Sequence, residues 1–174
     1  MRYRAGITIA IAIIICKFID NAIFAKYNLA DIRPDMMLAL LVVIGFSIGS
    51  MRAGLIGLGV GFLYDILYFD SIGINASVYM ICGMAAGFFF RKFYADNVIL
   101  PSIAAAVLCF IKHNILAIIT ALYGAHFNYF LMLIVYILPC ALLTGVFCIP
   151  VYFVIKPLLK TYGKYIYDKQ SSIV

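Results

Sequence analysis

Six long apolar stretches run along the chain, at about 5–25, 36–51, 53–69, 73–90, 98–123 and 128–155, with short polar punctuation between them. Each approaches the ~20 residues that a helix needs to cross a bilayer core, so the pattern predicts six transmembrane helices. The boundary between the second and third is the ambiguous one, because only Arg52 interrupts it. A single helix over 36–69 would be about 51 Å long at 1.5 Å per residue, against a core of about 30 Å, and would hold Arg52 near mid-membrane. Two short helices joined by a tight turn at "SMRAG" are expected instead. The first stretch imitates a secretory signal, with Arg2 and Arg4 ahead of it, but no small-residue cleavage site follows. It reads as an uncleaved first span.

Composition strengthens this reading. The chain of 174 residues is 67% hydrophobic and 11% charged, with a mean hydropathy of +1.13, whereas soluble domains are close to half apolar. An all-α integral membrane protein is expected, one polytopic membrane domain over 1–174 ending in a basic tail, 156–174. The net charge of +6 follows span boundaries and does not point to nucleic acid. With six spans, Arg2, Arg4, Arg52, Arg91, Lys92, Lys156, Lys160, Lys164 and Lys169 share the side of the termini. Only Lys26 and Arg33 lie opposite, while Lys17 and Lys112 fall inside spans. Basic residues mark the cytoplasmic face, so both termini are expected there. Five spans with an external N-terminus give a similarly lopsided count; helix length separates the two.

Chemistry-bearing motifs are scarce. Cys16, Cys82, Cys109, Cys140 and Cys148 lie in apolar runs and form no C-x-x-C pair. They suggest neither a disulfide framework nor a zinc site, and read as small packing residues. No G-x-S-x-G, P-loop or H-E-x-x-H sequence is present, so no enzyme class, metal or cofactor is expected.

The polar residues inside the apolar runs carry more information. On the six-span topology, Lys17, Asp20, Asn21, Asp65, Asn75, Lys112, His113 and Asn114 fall in one layer toward the outer face. An ionisable residue in a span costs about 2.5–3.5 kcal/mol at the helix centre and less near the interface, so such residues pair or face water. Lys17 and Asp20 can pair at i, i+3, which leaves Asp65 and Lys112 as expected partners across helices. Asp65 also continues a stripe of small residues, Gly54, Gly57 and Gly61, and stripes of this kind mark close helix approach. It is expected to be buried, as an ion-pair or capping group or as part of a solute or partner site. Asn75, Tyr79, Cys82, Gly83 and Ala86 form a matching stripe, with Gly45-x-x-x-Gly49 and Gly83-x-x-x-Gly87 as further close-packing sites. Before the second span, Pro34 suits a first helical turn and Asp35 suits a capping role at a helix N-terminus.

The stretches "RPDMMLALLVVIGF" and "GLGVGFLYDILYFDSIGINA" resemble the family of the rod shape-determining protein MreD. Arg33, Pro34 and Asp35 match its first element, and Gly57, Gly61, Asp65 and Gly73 its second. The chain departs from the family between Asp65 and Gly73, where Phe69, Asp70 and Ser71 replace the usual Gly-Ser pair and following Pro or Thr. The resemblance implies a non-enzymatic subunit of the bacterial cell-elongation machinery, in the cytoplasmic membrane. Its implied partner is MreC, and through MreC the RodA glycosyltransferase, a class B transpeptidase and MreB. It also implies a fold similar to the S components of energy-coupling-factor transporters, six helices with an outward-facing cavity. A vitamin-binding S component is the alternative function.

Overall fold

A computed structural model of the chain describes Ile13, Cys16 and residues 33–68, 73–89, 98–124 and 128–171, with side chains as far as Lys156. The described residues form helices and turns, with no strand among them. The helices are α1 (Met36–Ile48), α2 (Ser50–Tyr68), α3 (Ile74–Phe88), α4 (Ile99–Leu122), α5 (Tyr129–Met132) and α6 (Leu138–Ser171), with a π-helical turn, Leu133–Ile137, between the last two. Of the first expected span, Ile13 and Cys16 are helical and pack against the core, Cys16 buried in it.

α1 is the core. Leu38, Ala39, Leu40, Leu41, Val42, Val43 and Ile44 are all buried, as expected of a helix that is apolar on every face. Its 13 residues span about 20 Å at 1.5 Å per residue. It is sheathed by protein along its length, so it need not match the lipid thickness. α4 (Ile99–Leu122) and the continuous stretch Tyr129–Lys156 are each long and apolar enough to cross a membrane. They show apolar outer faces, including Ile103, Val107 and Ile118 on α4 and Leu142, Val146 and Phe153 on α6. α2 does the same with Leu55, Phe62 and Ile66. Such surfaces are liabilities in water and ordinary against acyl chains.

The second and third apolar stretches are separate helices, but the turn is not at "SMRAG". It is at Gly49, whose φ of 90° suits glycine, and Ser50 already begins α2. Gly49 is therefore a hinge residue and not the second half of a helical small-residue face. The Gly49 N–H donates to the Gly45 carbonyl at 3.1 Å, while the Ala53 N–H donates to the Gly49 carbonyl at 3.1 Å, so the hairpin loses little backbone bonding.

α2 and α3 meet backbone to backbone. A Cβ added at Gly57 would lie 2.4 Å from the Tyr79 carbonyl oxygen, at Gly61 2.5 Å from the Ala76 Cα, and at Gly83 2.6 Å from the Ala53 carbonyl oxygen. The order of these contacts makes α2 and α3 antiparallel. Tyr79 reaches Asp35 at the start of α1, and Gly45 near its end abuts Ala86 and Gly87, so α1 and α3 run the same way. α6 also runs with α1, since Asp35 meets Thr144 and Ala39 meets Cys148. α4 runs against α6, with Cys109 beside Cys140 and Pro101 beside Cys148. α1, α2, α3, α4 and α6 thus alternate in direction along the chain.

The π-helical turn has a local cause. Pro139 lies one residue into α6, has no N–H for the Val135 carbonyl, and would crowd it in a regular α-helix. Widening the preceding turn relieves that clash. It leaves Tyr136 edge-on to His113, with ring centroids 5.6 Å apart.

Candidate functional site

The alternating directions bring the start of α1, the end of α2, the start of α3, the second half of α4 and the start of α6 to one end of the bundle. The polar side chains concentrate there. Asp35 is their hub. Its Oδ1 accepts the Leu38 N–H at 2.9 Å and so caps α1, a role the sequence pointed to. Pro34 precedes the cap and lies outside the first helical turn where it was expected.

Asp35 does more than cap. Tyr79 on α3 donates its hydroxyl to the carboxylate, 3.1 Å from Oδ1 and 3.0 Å from Oδ2. Lys112 on α4 donates to Oδ2 in a salt bridge whose two side chains are only 8% and 9% exposed. The Lys112 Nζ also donates to the Tyr79 hydroxyl at 2.8 Å and sits 4.2 Å from the centre of its ring. The Asp35 backbone N–H donates to Thr144 Oγ1 on α6 at 2.9 Å, while that hydroxyl donates to the Cys140 carbonyl at 2.8 Å. One carboxylate and its own amide therefore join α1, α3, α4 and α6. An ammonium and a carboxylate taken out of water need close contact and further hydrogen bonds to offset their desolvation, and Tyr79 and Leu38 supply those bonds.

The expected Asp65–Lys112 pair does not form. Asp65 is 1% exposed, as its place in the glycine stripe predicted, but it serves a helix end. Its Oδ2 accepts the Gly73 N–H at 2.8 Å and the Ala76 N–H at 3.2 Å. α3 begins after Gly73, at φ 98°, which has no side chain to cap the helix. The first backbone N–H groups of a helix have no partner within it, and the helix dipole favours negative charge beside them. Asp65, reaching across from α2, supplies both the acceptor and the charge. Gly73 is needed for its left-handed backbone, and the carboxylate eight residues earlier completes the cap. Asp65 Oδ1 has no hydrogen-bond partner among the described residues.

Among the other residues of the expected layer, Asn75 is buried at the start of α3, against the Gly61 face of α2. Asn114 accepts the Tyr129 hydroxyl and donates to the Phe110 carbonyl at 2.8 Å, which ties α4 to α5. His113 turns toward Cys109 and Cys140. Lys17, Asp20 and Asn21 lie outside the described residues. Sequence reasoning assigned Asp35 only a cap and did not connect Tyr79, Thr144 or Cys140 with this end of the bundle.

The sequence model of the rod shape-determining protein MreD family matches residues 1–162. The chain belongs to the MreD family. No curated protein and no solved structure matches it. Membership makes this a rod shape-determining membrane protein, in keeping with the two long apolar helices among the described residues. In this member of the MreD family, the Arg33-Pro34-Asp35 element supplies the network's hub. Gly57 and Gly61 supply the α2–α3 contact, and Asp65 and Gly73 the cap on α3.

Proposed function

We propose that the chain is a non-enzymatic subunit of the bacterial cell-elongation complex in the cytoplasmic membrane. It binds an MreC-like protein and, through it, RodA, a class B transpeptidase and MreB, and so helps to organise peptidoglycan synthesis. The observation that carries this reading is how Asp35 and Lys112 are used: each is spent on partners within the bundle. A carboxylate and an amine held in this way stiffen a scaffold and are not free to act as an acid, base or nucleophile.

We further infer one polytopic domain over residues 1–174, with six spans and both termini cytoplasmic. The alternation of helix directions and the distribution of basic residues support this topology. The polar end of the bundle then faces outward, where Lys17, Asp20, Asn21, Asn75, Lys112, His113 and Asn114 form or underlie the surface offered to the partner. A similarity to S components, with an outward-facing cavity, rests on the family resemblance alone.

Recovery of the MreC-like partner with the full-length chain from bacterial membranes tests the reading. Arg33 is exposed beside the network, and a photo-crosslinker placed there is expected to capture the partner. Met51, exposed at the opposite end of α2, is expected to capture none. Absence of the partner, or capture from position 51 alone, contradicts the proposal.

A further inference from the structure

Behind the Asp35 network lies a second cluster, which its hydrogen bonds do not require. Cys109 and His113 sit one turn apart on α4, and Cys140 projects from the start of α6. One ligand atom from each lies within 4.8 Å of the others. The two Sγ atoms are 4.0 Å apart. His113 Nε2 is 3.9 Å from Cys140 Sγ, and His113 Nδ1 is 3.5 Å from Cys109 Sγ. Both cysteines are buried and free.

We propose that Cys109, His113 and Cys140 form a binding site for a thiophilic metal ion of the zinc class. Tetrahedral zinc holds sulfur at about 2.3 Å and imidazole nitrogen at about 2.0–2.1 Å, which puts two bound sulfurs about 3.8 Å apart and a sulfur and nitrogen about 3.6 Å apart. With Nε2 as the ligating nitrogen, the Sγ–Sγ spacing and the Nε2–Cys140 Sγ spacing are within a few tenths of an ångström of these values. The histidine is also oriented. Its Nδ1, 2.9 Å from the Cys109 carbonyl oxygen, donates a proton there in one tautomer and leaves the Nε2 lone pair toward Cys140. A ligating histidine commonly has its second nitrogen held in this way. Tyr136, carried on the π-helical turn, braces the ring edge-on.

Charge decides the class of ion. Binding releases the two thiol protons to solvent, and a divalent ion with two thiolates and a neutral imidazole carries no net charge. The neighbouring Asp35–Lys112 pair is already balanced, so a loaded site adds no uncompensated charge to the membrane interior. A monovalent ion would leave one negative charge. Thr144 Oγ1 is 3.4 Å from Cys109 Sγ and offers a neutral oxygen beside the thiolate. Cys140 Sγ also donates to the Arg33 carbonyl at 2.9 Å. Loading removes that proton, which couples the site to the segment leading into α1. Cys109-x-x-x-His113 places two ligands on one helical face and was visible in the sequence; the third ligand comes only from the packing of α6.

The test uses the full-length chain in detergent, purified with a tag free of histidine and cysteine, reduced, and stripped with a chelator. Titration with Co²⁺ is expected to give thiolate-to-cobalt charge-transfer bands and tetrahedral ligand-field bands, saturating at about one ion per chain and abolished by Zn²⁺. Cys109→Ser, Cys140→Ser and His113→Gln are expected to lose the bands, and Cys82→Ser and Cys148→Ser to keep them. Thiol alkylation of the unaltered chain gives a measure that no folding defect can imitate. Zn²⁺ at ten times its Kd is expected to slow modification of Cys109 and Cys140 roughly tenfold and to spare Cys82 and Cys148. Absence of the bands from the reduced chain overturns the proposal, as does equal protection of all four thiols. A Cys109–Cys140 disulfide in chain taken directly from membranes also overturns it, in favour of a redox pair.

Discussion

Lys112 on α4 pairs with Asp35 at the head of α1, while Asp65, a second buried acid among the described residues, is committed to the N-terminus of α3. The two carboxylates thus do separate work. Asp35 neutralises a buried ammonium and joins helices distant in sequence. Asp65 closes the junction between neighbouring helices α2 and α3.

The division makes Asp65 and Gly73 a unit. Asp65→Ala is expected to cost about 1–3 kcal/mol by leaving buried N–H groups unpaired. Gly73→Ala adds strain at a positive φ. Thermal unfolding in detergent, read with hydrogen exchange at the Gly73 and Ala76 amides, checks this. Faster exchange confined to the start of α3 is the expected signature, and unchanged exchange there would contradict the cap.

Glycine spacing gives a sharper contrast. Gly57→Ala drives a methyl group into the Tyr79 carbonyl, whereas Gly59 has nothing within 4 Å of an added Cβ. Gly57→Ala is expected to lower the unfolding temperature and the yield from membranes. Gly59→Ala is expected to be neutral or stabilising by up to about 1 kcal/mol through helix propensity. Equal behaviour of the two variants would show that α2 and α3 do not approach as described.

Thr144 accepts the Asp35 amide and donates to the Cys140 carbonyl. Thr144→Val keeps the shape and removes the oxygen, at an expected cost of about 1–3 kcal/mol from the unpaired amide. Thr144→Ser is expected to restore most of it. Failure of serine to rescue would assign the loss to packing.

Much of this arrangement was legible from the sequence because membrane helices obey few rules. The apolar runs gave the long helices, and the small-residue spacing of Gly54, Gly57 and Gly61 pointed to the face that meets α3. The position of Asp65 on that stripe predicted its burial. The partner of Lys112 was not legible, because Asp35 read as a helix cap and only the packing of α1 against α3, α4 and α6 brings its carboxylate to the ammonium. The turn at Gly49 was displaced because charge drew attention to Arg52, while backbone freedom decided the bend. Cys140 and Thr144 were missed because nothing local marks them; their roles come from α6 lying beside the start of α1.

Lys112 and Asp35 act as one buried pair that organises the bundle, and a double-mutant cycle reads that coupling. Asp35→Asn, Lys112→Met and the double variant would be compared by unfolding in detergent, with Asp65→Asn and Asp65→Asn/Lys112→Met as the second cycle. Each single change at the pair is expected to cost about 3–5 kcal/mol by stranding a buried charge, with the Asp35→Asn/Lys112→Met double variant far more stable than the sum of its parts. The Asp65 cycle is expected to be additive within about 0.5 kcal/mol. Additive losses at Asp35 and Lys112, or strong coupling of Lys112 to Asp65 instead, would show that Asp35 and Lys112 do not act as a pair.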